Sequence, residues 1–243
     1  MYRRILVGYD GQEPARDALT LGRALAAIEG AELVLAAALE NLDPLATPAD
    51  AYERATAEAD DRLTASAQEL LGPERDFRLR MVGGVSAPRA LTEIAEDERA
   101  EVVVIGSTHR GGIGRVLPGS VGERLLQGAP CAVLVAPRGF AQRSEPFEIR
   151  SVGVGYDGRT ESTHARDVAA VLASELGATL ATITVGPDEG DPGYVLAERS
   201  GDFDLLVVGS RGYGPVRHAL EGNVSGKVMR EAASPVLVVP RSA

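Results

Sequence analysis

Tryptophan is absent from this chain, and phenylalanine and tyrosine together supply only 4 % of its 243 residues. A core must therefore be built from Ala, Val, Leu and Ile. There is one cysteine, Cys131, so no intrachain disulfide can form; preceding an apolar run, it reads as a buried and inert thiol. The three histidines, His109, His164 and His218, have no metal-ligand spacing. Positive charge is also scarce. The net charge is −10, with both halves of the chain acidic, which argues against the backbone of a nucleic acid as a main partner. No apolar run approaches the roughly 18 residues that a membrane span needs. Met-Tyr-Arg-Arg leads directly into a strand pattern, leaving no room for a signal peptide, so the cytoplasm is the expected location.

Short apolar runs alternate with amphipathic, helix-like stretches. Ile5–Asp10, Leu33–Leu39, Phe77–Met81, Val102–Ile105 and Ala132–Ala136 read as strands. Between them, helical spacing runs from Pro14 to Gly30, from Tyr52 to Leu71 and from Pro88 through Ala95. This alternation predicts an α/β fold with a doubly wound parallel sheet covered on both faces. Phe77, Leu79 and Met81 alternate with Arg78 and Arg80, as in a half-exposed edge strand.

The pattern then restarts. Val154-Gly-Tyr-Asp157-Gly repeats Val7-Gly-Tyr-Asp10-Gly at an offset of 147 residues, whereas Gly209 repeats Gly106 at an offset of 103. The second copy has thus lost the long helix and the edge strand, which leaves four strands against five. The expected organisation is a first domain at 1–137, a linker at 138–150 and a shortened second domain at 151–243. The last strand of each copy is short and apolar, and pairing the two would bury both edges about a pseudo-twofold axis.

Each copy carries a glycine-rich loop between strand and helix, a place where backbone N–H groups can hold an anion. In the first it runs Gly106-Ser-Thr-His109-Arg110 to Pro118-Gly119-Ser120-Val121, and in the second from Gly209 through Gly212 to Gly222-Asn223-Val224. If the strand order is 3-2-1-4-5, winding reverses between strands 1 and 4, and Asp10 with Gly106, or Asp157 with Gly209, flank one crevice. Each feature also has a plain structural explanation. Asp-Gly after a strand is a common turn, and Ser120-Val-Gly-Glu123 matches a capping box.

Gly209, Gly212 and Gly222 match the Gly-x2-Gly-x9-Gly spacing of the nucleotide-binding branch of the universal stress protein family, with Asn223 replacing the hydroxyl residue. Gly106, Gly119 and Ser120 match it with His109 replacing the middle glycine. The chain resembles a tandem universal stress protein. That resemblance implies two Rossmann-like domains of the adenine nucleotide alpha hydrolase-like type. It also implies ATP as cofactor, with or without magnesium. Asp10 and Asp157, beside Gly8 and Tyr9, would contact adenosine, Leu39 would wall the adenine, and the loops would hold the phosphates.

No nucleophile–base pair, magnesium-binding carboxylate cluster or P-loop is present; Gly222-Asn-Val-Ser-Gly226-Lys227 is too short and lacks the required hydroxyl. The expected protein is an ATP-dependent stress-response regulator that is not an enzyme, with unknown protein partners and a homodimer as a further assembly. The alternative is an interaction module with decayed sites that bind no nucleotide, and a slow ATPase is a third reading. Of the two copies, the first is favoured for binding because it keeps the complete sheet.

Overall fold

The computed structural model describes residues 2–72, 76–110, 112–210 and 224–240. The first repeat comprises β1 (Arg4–Gly8), α1 (Glu13–Leu25), β2 (Glu32–Leu39), α2 (Ala49–Leu71), β3 (Arg78–Gly83), α3 (Ala87–Asp97), β4 (Val102–Gly106), α4 (Ser120–Gly128) and β5 (Ala132–Ala136). The second comprises β6 (Ser151–Gly155), α5 (Thr160–Leu176), β7 (Thr179–Ile183), α6 (Pro192–Arg199), β8 (Leu205–Gly209), α7 (Val224–Glu231) and β9 (Val236–Val239). The nine strands of the described residues form one sheet in the order β3-β2-β1-β4-β5-β9-β8-β6-β7.

Pairing is parallel within each repeat. It is antiparallel only where β5 meets β9, with Leu134 opposite Leu237. Both strands would otherwise end a sheet with an unpaired, wholly apolar edge, and joining them removes two exposed edges at once. The central strands are buried on both faces, which explains why they read as continuous apolar runs and not as alternating ones. At the outer edge, β3 does alternate. Its Arg78 and Arg80 each reach the buried Glu98 at 2.8 Å, and the Arg78 hydrogen bond helps hold that carboxyl below the usual carboxylate range.

Helix α1 stops at Leu25 and not near Gly30. Beyond Leu25 the chain tightens into i→i−3 bonds, Ala27 N to Ala24 O and Ile28 N to Leu25 O, which keeps Ile28 in the core without extending the helix. Segment 138–150 has no periodicity yet packs closely. Phe140 and Phe147 meet edge to face at 4.7 Å, and the Arg143 guanidinium lies 5.1 and 5.0 Å from their ring centres. The buried carboxylate of Asp17, on α1, accepts the amides of Gly139 at 2.8 Å and Ala141 at 2.7 Å. Burial pushes the Asp17 carboxyl up, and those two amides pull it back only in part.

Among the described residues, the second repeat has no counterpart of α2 and β3, so β7 is an edge. Side chains there have adapted. By register, Leu33 and Leu35 of β2 correspond to Leu180 and Thr182 of β7, and both of the latter are exposed. Tyr9 places its hydroxyl 2.8 Å from Ser66 of α2, whereas Arg166 of α5 covers the equivalent Tyr156 with its guanidinium 4.6 Å from the ring centre. A polar and cationic covering replaces the missing helix.

Candidate functional site

A cleft of about 590 Å³ opens at the carboxyl ends of β1 and β4, where the winding of the first repeat reverses. Gly8, Tyr9 and Asp10 line it from β1, and Ala36, Ala37 and Ala38 from β2. Gly106, Ser107, Thr108 and His109 follow β4, and Gly119, Ser120, Val121 and Gly122 begin α4. Glu40, Asn41, Ala87 and Leu91 complete the wall opposite the loop. The sequence-predicted residues of the first copy thus converge, with two exceptions. Leu39 and Arg110 do not line the cleft; Ala38, Glu40 and Asn41 stand where Leu39 was expected.

Four of these positions also carry local structure that the sequence does not announce. A β-carbon on Gly106 would lie 1.8 Å from the carbonyl oxygen of Pro14, so this glycine lets β4 pass against the start of α1. Gly209 repeats the arrangement against Glu161, at 2.5 Å. Neither Gly106 nor Gly119 has positive φ; Gly119 is extended, at φ −81° and ψ −171°. Tyr9 is buried, and its hydroxyl is engaged with Ser66, so its ring serves the core under α2. Ser120 does not cap its helix. Gly119 occupies the N-cap position without a side-chain bond, Ser120 is the first helical residue, and the expected capping box is not formed.

What remains at that helix start is a row of backbone donors. Among the described residues, the amides of Gly119, Ser120 and Val121 have no hydrogen-bond acceptor. They are the orphan groups of an α-helix N-terminus, on residues that line the cleft. The loop is pinned so that they stay there. The buried hydroxyl of Ser107 donates to Ala136 O at 2.6 Å and accepts from Leu117 N at 3.0 Å, and Thr108 N donates to Leu117 O at 2.8 Å. Ser107 escaped the sequence reading, although a Gly-Ser pair ends the next-to-last strand of both repeats, β4 and β8, with Ser210 as its counterpart.

Across the cleft, Glu40 accepts Ala87 N at 2.7 Å and so ties the loop after β2 to the start of α3. Asp10 accepts Gln12 N at 2.9 Å through one oxygen, the Asx turn expected of Asp-Gly, and its carboxylate still lines the cleft. His109 Nδ1 lies 3.3 Å from Glu13 Oε2.

The second repeat differs. Asp157 accepts the Ser162 hydroxyl at 2.7 Å and Arg159 N at 3.1 Å, with the Arg159 guanidinium at 3.5 Å. Partial burial opposes its ionisation, but these partners outweigh it and hold the carboxyl below the usual range. Gly212, Gly222 and Asn223 lie outside the described residues; Val224 is the first residue of α7 and is exposed. Helices α6 and α7 are in close contact here. A β-carbon on Gly193 would meet Lys227 Cβ at 2.7 Å, and Lys227 Nζ reaches Asp191 at 2.5 Å. Among the described residues no cluster of three His, Cys, Asp or Glu could hold a metal, and no helix is long and apolar enough to cross a membrane. Burial pushes the Cys131 thiol up to about 12, so it stays protonated and unreactive at neutral pH.

Two doubly wound α/β repeats, joined through their last strands and presenting a helix N-terminus at a switch-point cleft, define a tandem Rossmann-like protein. The family model of the universal stress protein family matches residues 1–137 and 181–240, and the chain belongs to that family. A universal stress protein of Thermus aquaticus is 31 % identical over 138 residues, covering 56 % of this chain and 98 % of its own length. One from Mycobacterium tuberculosis is 26 % identical over 295 aligned positions, covering 97 % of this chain and 99 % of the relative. Among solved structures, a universal stress protein from Archaeoglobus fulgidus superposes with a TM-score of 0.70 at 21 % identity, covering 98 % of this chain and 96 % of that one. At that identity the likeness speaks for the fold alone.

Proposed function

We propose that this chain is an ATP-binding stress-response regulator whose first repeat holds the nucleotide, and that it is a switch and not an efficient enzyme. The observation that carries the reading is the row of unpaired amides at Gly119, Ser120 and Val121, three residues that line the first-repeat cleft. Charge-assisted bonds from such donors are worth roughly 1.5–3 kcal/mol each, against about 0.3–1 kcal/mol for the helix dipole, so directed N–H bonds dominate anion capture. The small side chains of Ala36, Ala37 and Ala38 leave space beside Leu91 for a flat base, with Asp10 and Glu40 as acceptors for ribose or base donors. Any magnesium would arrive with the phosphates.

Support for the first repeat over the second comes from the two aspartates. Asp10 has one internal hydrogen bond and lines an open cleft, whereas Asp157 is engaged by a hydroxyl, an amide and a guanidinium. In this reading the domains span 1–137 and 151–243, segment 138–150 connects them, and the protein works in the cytoplasm with protein partners chosen by nucleotide occupancy.

Calorimetric titration with ATP at micromolar protein is expected to show one site per chain, displaced by ADP. Absence of heat, together with absence of competition, would leave the interaction module with decayed sites as the better description.

A further inference from the structure

The loop between β4 and α4 is held in part from outside the first repeat. Val116, fully buried, donates its amide to Ala232 O at 2.9 Å, and Arg115 Nη1 donates to Glu231 O at 2.6 Å. Both acceptors stand at the carboxyl end of α7, in the second repeat. The segment joining the repeats supplies further anchors. Arg138 N donates to Arg115 O at 3.0 Å, Arg138 O accepts Gly114 N at 2.9 Å, and Arg138 Nη1 holds the His109 carbonyl at 2.9 Å. Gly114, at φ +74°, turns the chain between these contacts.

Loop and helix satisfy each other. A helix ends in carbonyls that have no partner within it and in a partial negative charge. A guanidinium and an amide from the loop meet both needs on α7, where Arg230 of the last turn adds charge of the same favourable sign. In return the helix end fixes the loop just ahead of the Gly119, Ser120 and Val121 amides. Arg115 itself does not line the cleft, so it acts on a ligand there through the loop. The other end of α7 follows directly, in sequence, on Gly222-Asn223 of the second glycine motif. We infer that Arg115 is a positioning residue that ties the first cleft to α7, so that a nucleotide bound in the first repeat tightens a helix of the second. This rests on the nucleotide reading above. Bound phosphates order the loop, and an ordered loop grips the helix end. Loosening the helix end returns the loop to a weaker-binding state, and by reciprocity the two effects are equal in size.

The test joins calorimetric titration with ATP to hydrogen exchange of α7 in the full chain, for the wild type, Arg115→Ala, Arg115→Lys and Lys227→Met. Saturating ATP is expected to slow exchange of the Glu231 and Ala232 amides about fivefold in the wild type. Arg115→Ala should weaken ATP binding by about the same factor and lose the slowing. Arg115→Lys, whose ammonium can still reach a carbonyl, should restore most of both. Lys227→Met keeps the stem that packs on Gly193 and removes the ion pair with Asp191, so it loosens α7 from within the second repeat. It should weaken ATP binding about twofold alone and not at all when added to Arg115→Ala. Unchanged α7 exchange in the wild type under saturating ATP would overturn the inference and leave the nucleotide reading standing. So would an Arg115→Ala chain that binds weakly yet still protects α7, because the arginine would then act on the ligand directly. No binding of ATP by the wild type would remove the nucleotide reading, and the inference with it.

Discussion

Gly106→Ala is expected to destabilise the fold by about 3 kcal/mol or more, one of the largest effects of any single-methyl addition in this protein. Overpacking usually costs about 1–3 kcal/mol because a flexible neighbour can yield. Here the neighbour is backbone. The new β-carbon would lie 1.8 Å from the Pro14 carbonyl oxygen, so β4 and the start of α1 must separate, and both flank the cleft. Gly119→Ala makes the contrast, because its β-carbon would meet only the Thr108 side chain, Cβ at 3.4 Å and Oγ1 at 3.7 Å. Urea unfolding should show a large fall in midpoint for Gly106→Ala and a shift of well under 1 kcal/mol for Gly119→Ala. Equal stability in the two variants would mean that Gly106 is not a packing glycine.

Ser120→Pro is expected to weaken ATP binding by roughly 10- to 100-fold while leaving stability nearly unchanged. Proline at the first position of a helix removes an amide that has no partner within the helix anyway, and its fixed φ suits that position. The preceding Gly119 is already extended, the conformation that a following proline demands. Ser120→Ala is the control: it removes the hydroxyl and keeps the N–H. If the amide holds a phosphate, the alanine variant binds nearly as the wild type does and the proline variant does not. The reverse order, or equal loss in both, would assign the anchoring to the hydroxyl instead.

Much of the architecture was legible in the sequence because it depends on patterns that a chain cannot hide. Continuous apolar runs marked strands buried on both faces, and the alternation through Arg78 and Arg80 marked an edge. The drop in repeat offset located the missing helix-strand unit, and the apolar last strands foretold that β5 and β9 would pair. Within the site, Asp10, Gly119 and Ser120 could be named because strand ends and helix starts at a switch point are fixed by topology.

Other features depend on contacts between distant segments. Nothing in the motif Gly106-Ser-Thr-His announces that Pro14 O will press against it. Leu39, the last residue of β2, is not among the residues lining the cleft, whereas its neighbours Ala38 and Glu40 are, and nothing in the apolar run sets them apart. Ser120 looked like a cap because its side chain suits one, but the chain enters α4 one residue earlier, at Gly119, and leaves the amides uncapped.

The central claim is that nucleotide phosphates sit on the first turn of α4. The most direct measurement is the set of backbone amide shifts in a 15N-labelled chain during titration with ATP. Saturable movement of the Gly119, Ser120 and Val121 amides, with Gly155 and Asp157 unmoved, is the predicted result. Unmoved amides at those three positions under saturating ATP, or shifts confined to the second repeat, would contradict it.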